Sequence, residues 1–191
     1  MSLLNEKNSI AVVGDIRKSE KLIKAISIDA FTQLISTFLD HLLEITNDYN
    51  CILERFTGDG FVVIFPSSGN TSYDTDCSKF VERIMRLYRE YLIGMEEVFI
   101  NQDILPKEYR NGEMIKIHGL GIGIDYGRIR FNIYGNFFYS VGLPILRASR
   151  FCQKADPWQV VIGEKSSFVK ISEFLSLSQE TNNFKSYKYE R

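Results

Sequence analysis

The stretch from Cys51 to Phe65, CILERFTGDGFVVIF, leaves this chain few folds to choose from. A strand-like run, the turn Thr57-Gly58-Asp59-Gly60 and an almost wholly apolar run predict a β-hairpin. Asp-Gly between two such runs is a strong hairpin signal, because glycine takes the positive φ that the turn needs. The turn therefore holds the Asp59 carboxylate at the edge of a sheet. An earlier apolar run, Ile10-Ala11-Val12-Val13-Gly14, reads as a buried strand and stops at a second acid, Asp15.

Between the two acids lies an amphipathic helix. Phe31, Leu34, Ile35, Phe38, Leu39 and Leu42 recur at spacings of three and four, starting near Ser27 or Asp29 and ending by Asp48 or Asn50. A right-handed crossover through that helix returns the first hairpin strand parallel to the opening strand. Asp15 closes the opening strand and Asp59 follows the second, so both acids fall on one edge of the sheet. Taken singly, Asp59 is a turn residue and Asp15 a strand end; the topology joins them. Two close carboxylates repel, and one takes up a proton unless cations neutralise the pair. Magnesium does so with one or two carboxylates, completing its octahedron with water and substrate phosphates.

The remaining chain alternates in the same way. Ile16 to Leu22 is polar and basic, and Pro66 to Asn70 reads as a loop. Phe80, Val81, Ile84, Tyr88, Tyr91, Leu92 and Met95 give one face to a helix starting near Thr75 or Asp76. Asn101 to Glu113 reads as a loop. Met114 to Asp125 reads as a strand with Gly119, Gly121 and Gly123 on one face, where another backbone or a partner subunit can approach. Gly127 breaks that strand, and Arg128 to Tyr134 continues it as a hairpin partner. Pro144 suits the first turn of a helix running to Lys154. A strand over Trp158 to Ile162, a helix over Lys165 to Leu175 and a terminal strand or tail follow. This order predicts an α+β fold with a ferredoxin-like βαββαβ core, a mainly antiparallel sheet with helices packed on one face.

With 191 residues and no repeat or linker, residues 1–191 read as a single domain. The net charge of −1 gives no reason to expect a nucleic-acid surface. No apolar run approaches the roughly 20 residues that span a bilayer, and the first residues are too polar for a signal peptide. Three scattered cysteines without a CxxC pattern suit a reducing, cytoplasmic compartment. His41 and His118 lack a second ligand at metal spacing and read as structural.

Four motifs then line up in order: Val13-Gly14-Asp15-Ile16, Gly58-Asp59-Gly60, Gly123-Ile124-Asp125-Tyr126-Gly127, and the run from Gly142 to Phe151, GLPILRASRF. Together they resemble the catalytic domain of the class III nucleotidyl cyclases, over about Ile10 to Ile162. The resemblance implies a head-to-tail homodimer with active sites at the interface. It implies that Asp15, Asp59 and the backbone carbonyl of Ile16 hold two Mg²⁺ or Mn²⁺ ions. Arg150, from the partner subunit, would stabilise charge at the α-phosphorus of a nucleoside triphosphate. Lys18 and Ser19, just after the first acid, become candidate substrate contacts. Leu146 and Arg150 are four apart and share a helix face.

Several positions depart from that family. Leu146 stands where an asparagine usually orients the ribose, and a leucine cannot hydrogen-bond; slower turnover or another group in that role follows. Tyr134 falls near the phosphate-binding arginine, leaving Arg128, Arg130 and Lys18 as substitutes. Arg55 and Tyr139 occupy the base-reading positions. Arginine only donates, which does not suit the guanine edge that a glutamate reads, and two bulky residues favour a pyrimidine. Uracil offers two carbonyls, so UTP ranks ahead of CTP. Short stand-alone cyclases altered in this way resemble the pyrimidine cyclases of bacterial anti-phage signalling (Pycsar), which implies cUMP or cCMP as product and a separate cyclic-nucleotide-sensing effector. The alternatives are an adenylate cyclase and a cyclase-like domain that binds nucleotide without turnover. A palm-type polymerase is disfavoured because Gly60, not a second acid, follows Asp59.

Overall fold

The opening apolar run is the centre of the sheet. In the computed structural model, which describes residues 6–67, 73–135, 137–166, 169, 175–180 and 184–189, β1 (Glu6–Ile16) lies between β3 (Gly60–Pro66) and β4 (Leu120–Tyr134) and is antiparallel to both. β2 (Ile52–Phe56) completes the hairpin with β3. Beyond β4 come β6 (Gln159–Gly163), β8 (Phe184–Tyr189) and β7 (Leu175–Glu180), while β5 (Phe137–Val141) folds back on the far end of β4. Among the described residues only β4 and β6 pair in parallel. β2 runs in the same direction as β1 with β3 between them, which is the return expected from the crossover.

The helices are α1 (Ser19–Ala25), α2 (Ile28–Asp48), α3 (Tyr73–Asn101), α4 (Glu113–Ile117) and α5 (Leu143–Lys154). Ser27 caps α2, its hydroxyl accepting from the Ala30 N–H at 3.1 Å. Ile10 and Val12 of β1 pack with Leu34, Phe38 and Leu42 of α2 and with Phe80, Ile84 and Tyr88 of α3. Ala11, one residue out of phase, joins Val62, Ile64, Ile145 and Ala148 in a smaller cluster. Strand side chains alternate between faces, so α5 lies across the sheet from α2 and α3.

That corrects one part of the expected fold. The mainly antiparallel α+β sheet is observed, but the helices do not all share a face. The cause is Gly123. A Cβ there would sit 2.0 Å from the Ala148 carbonyl oxygen and 2.3 Å from the Cys152 nitrogen. The bare glycine face admits a backbone, as expected, and within this chain the backbone is that of α5. Gly123→Ala must push α5 off the sheet and is expected to cost about 3 kcal/mol, read as a lowered midpoint in chemical denaturation.

Other expectations shift locally. Ser19 to Ala25, within and beyond the basic segment, forms the short helix α1. Met114 to Ile117 is helical, and the strand begins only at Leu120. Gly127, at φ 154°, bends β4 without ending it. Most of the expected Lys165–Leu175 helix, and residues 68–70 of the expected loop, lie outside the described residues. The polar remainder contributes the antiparallel pair β7 and β8. Among the described residues no helix is long and apolar enough to cross a membrane.

Candidate active site

Asp15 lies opposite Gly60 on one side and Gly121 on the other. Neither strand neighbour therefore puts a side chain of its own beside the Asp15 carboxylate. The hairpin tip is held against the end of β1: the Ile16 N–H donates to the Asp59 carbonyl at 2.9 Å, and the Thr57 N–H donates to the Gly60 carbonyl at 2.8 Å. The positive φ falls on Gly58, at 89°, and not on Gly60, the glycine of the Asp-Gly pair for which it was expected. A Cβ on Gly60 would meet the Gly14 carbonyl oxygen at 2.8 Å and Asp15 Oδ1 at 3.3 Å. The two acids meet because the turn closes over a strand end that glycine keeps open.

Each carboxylate has a partner within the chain. The Ser19 hydroxyl donates to Asp59, and Arg17 donates to Asp15. Lys18, in the left-handed region at φ 56°, turns the chain so that Ser19 starts α1 beneath the hairpin tip; its own side chain is exposed. The Ile16 side chain is core, leaving only its main chain near the acids. Arg17 also donates to the Cys152 and Ala155 carbonyls at 3.1 and 3.4 Å, at the C-terminal end of α5. It fills the space above Gly121, where a Cβ would lie 2.8 Å from its Nε. The sequence reading passed over Arg17. The available signal was its position two residues after Asp15, just past the end of β1, within reach of that carboxylate. Buried His118 fixes the main chain here, its Nδ1 lying 3.0 Å from the Arg17 carbonyl oxygen.

Burial pushes the Asp15 carboxyl up from 3.8 to about 6; the Arg17 charge opposes this, and the neighbouring Asp59 adds to it. No group of three or more His, Cys, Asp or Glu side chains gathers among the described residues. The donors at this spot are all oxygens: two carboxylates, a hydroxyl and main-chain carbonyls. Such a set fits Mg²⁺ or Mn²⁺ and not a soft metal. Arg17 offsets part of the negative charge of the two carboxylates, and a divalent ion would offset the rest.

A raised carboxyl pKa means the fold favours neutral Asp15. Its contribution to stability is full below 3.8 and is lost as pH rises through about 6. Asp15→Asn removes that dependence. With chelator present and pH above about 6, the variant is expected to be about 1–2 kcal/mol more stable than the parent, after allowance for solvent screening. Parallel denaturant titrations on either side of that pH check this.

The two positions expected to read the base, Arg55 and Tyr139, lie elsewhere. A β-bulge between Leu53 and Arg55 sets Leu53 opposite Val63 and Arg55 opposite Val62. It turns Arg55 onto the face of Ile52, Val62 and Ile64 and away from the α2–α3 core. Glu54, its side chain only 3% exposed, binds Arg55 through Nε and, at 3.1 Å, Nη2. The same carboxylate accepts from the Ser140 N–H at 3.2 Å, tying Arg55 to β5 beside Tyr139. Glu54 was also missed, since without the bulge adjacent strand residues face opposite ways.

On α5 the two arginines part company. Arg147 donates to buried Asp125 at 2.5 Å. Arg150 is exposed, with no ion pair among the described residues, and Leu146 beside it is 60% exposed. Within one chain neither makes a hydrogen bond or ion pair with Asp15 or Asp59. Ile133, Phe138 and Val141 on the β4–β5 pair and Leu143 on α5 are also exposed apolar residues. Arg128 and Arg130 both pair with Glu6, at the opposite end of β1 from Asp15. Lys18 alone of the three substitutes lies beside the acids; the Tyr134 side chain is outside the described residues.

No family model matches the sequence, and no curated protein matches it. Solved structures do. The adenylyl cyclase CyaB from P. aeruginosa superposes with a TM-score of 0.70 at 16% identity, over 98% of this chain and 95% of that one. The guanylyl cyclase domain of the RhoGC fusion protein from the aquatic fungus Blastocladiella emersonii gives 0.63 at 14%, over 98% and 97%. A class III adenylyl cyclase-like ATP-binding protein from Pseudomonas aeruginosa gives 0.64 at 16%, over 88% of this chain and 36% of that one. The fold is that of the nucleotidyl cyclase domains.

Proposed function

We propose that the chain is a nucleotidyl cyclase that converts a nucleoside triphosphate to its 3′,5′-cyclic monophosphate and pyrophosphate as a cytoplasmic homodimer. The observation that carries this reading is the pairing of Asp15 and Asp59 in a glycine-lined slot on a cyclase fold. In the reaction the ribose 3′-oxygen bonds to the α-phosphorus. The bond from that phosphorus to the α,β-bridging oxygen breaks, and the hydroxyl proton passes to solvent. Two Mg²⁺ or Mn²⁺ ions, when bound by Asp15, Asp59 and the Ile16 carbonyl, supply a lowered hydroxyl pKa and charge neutralisation.

The chain's own groups do the rest. The Ser19 hydroxyl fixes the Asp59 carboxylate, and Lys18 reaches the phosphates. Glu54 holds the Arg55 guanidinium by Nε and Nη2, leaving Nη1 to donate to a base carbonyl. Tyr139 bounds the pocket on the other strand. This arrangement favours UTP, then CTP. Arg150 donates from a planar fork, which suits an α-phosphate in a partner's site. The exposed Leu143 and Leu146 belong to the face such a partner covers. We place the cyclic product in anti-phage signalling through a separate effector.

The test is incubation of purified protein with Mn²⁺ and each of the four triphosphates, with products identified by mass. A cyclic pyrimidine nucleotide is expected. ATP as best substrate would overturn the base assignment, and no cyclic product under varied metals would overturn the activity. One observation favours a second reading, binding without turnover: Leu146 offers the ribose no hydrogen bond. Saturable triphosphate binding with no product selects it.

A further inference from the structure

A cavity of about 710 Å³ opens between α3, α4 and the strands β6 and β8, away from both acids. Arg89, Lys116 and Lys188 line it against the single carboxylate of Asp156, and Trp158 and Tyr189 form its aromatic wall. The three cations come from three separate elements. Lys116 pairs with Glu113 at 2.5 Å, while Arg89 and Lys188 have no ion pair among the described residues. A concavity of this size, part aromatic and part cationic, has the composition of a small-molecule site.

Trp158 is held as a wall. It adopts φ 64°, a left-handed conformation that a bulky residue rarely takes and that is found where surroundings over-determine it. Its indole donates to the Ile115 carbonyl at 2.7 Å and lies over Gly119, where a Cβ would come within 2.4 Å of the ring. The Tyr189 ring stands 6.1 Å away, centroid to centroid. Trp158 belongs to the core cluster of Ile10 and Val12, so the cavity lies on the α3 side of the sheet. Asp15 shares the phase of Ala11 and Val13, on the α5 side. The two sites therefore sit on opposite faces and share no residue.

We infer that this cavity is a second binding site, for an aromatic phosphate of nucleoside-monophosphate size. The flat ring would lie along the exposed edges of Trp158 and Tyr189, which are 7% and 9% exposed, and the phosphate between Arg89 and Lys188. This inference stands whether or not the chain cyclises nucleotides, because it uses neither acid nor metal.

Trp158 is the sole tryptophan, so tryptophan fluorescence comes from this cavity's wall. The protein, held in chelator, is titrated with a nucleoside monophosphate, the matching neutral nucleoside and inorganic phosphate. Excitation is at the red edge of indole absorption, where nucleobases are transparent. A saturable change is expected for the monophosphate, with at least about tenfold weaker responses to the nucleoside or to phosphate, as loss of a charge-assisted bond implies. Arg89→Glu and Lys188→Glu should each weaken binding at least about tenfold, while Asp59→Asn leaves it unchanged. A non-saturating response, equal binding of the neutral nucleoside, or full affinity in both charge-reversed variants overturns the inference.

Discussion

Asp59→Asn is expected to lower cyclic-nucleotide formation by about 10²–10³-fold or more, with the fold intact. Asparagine has nearly the same shape and can still accept from the Ser19 hydroxyl, so the hairpin tip keeps its place. What is lost is a full negative charge beside Asp15. A hard divalent cation takes most of its binding energy from charged oxygens, so one carboxylate fewer empties the pair. Turnover by product mass and Mn²⁺ binding by electron paramagnetic resonance should fall together. Wild-type turnover in a folded variant would remove Asp59 from the chemistry.

Arg150→Ala should also abolish turnover, by about 10²–10³-fold, but with Mn²⁺ binding unchanged. Arg150 points to solvent and touches neither acid within its own chain. If it serves a partner, two inactive variants complement each other. A twofold-symmetric dimer has two equivalent sites, and a mixed Asp59→Asn/Arg150→Ala dimer has one with both groups intact. Random reassortment of equal amounts makes half the dimers mixed, restoring about one quarter of wild-type activity. An inactive mixture, after exchange of subunits is verified, argues that Arg150 acts within its own chain or not at all. Arg147→Ala differs in kind: it strands the Asp125 carboxylate in the core, and the expected damage is to stability.

Much of this frame was legible from residue order. Residue order shows the hairpin at Thr57 to Gly60, the start of α2 near Ser27 or Asp29, and the start of α5 at Pro144. Each is a local preference that the surroundings reinforce. The Met114–Ile117 segment misled because a short apolar run carries no decisive period. Gly127 misled because positive φ can bend a strand as well as end it.

The sequence by itself determined that two acids would stand on one edge of a sheet, since strand direction and a right-handed crossover follow from chain chirality and helix length. Only the tertiary structure decided which charges neutralise which. Arg17 reaches Asp15 because Gly121 leaves a gap; Glu54 reaches Arg55 because a bulge turns both to one face; Arg147, and not Arg150, finds Asp125 because Gly123 lets α5 lie flat. Ion pairs depend on distances of a few ångströms between segments far apart in the chain, and register and close packing set those distances, which residue order alone does not.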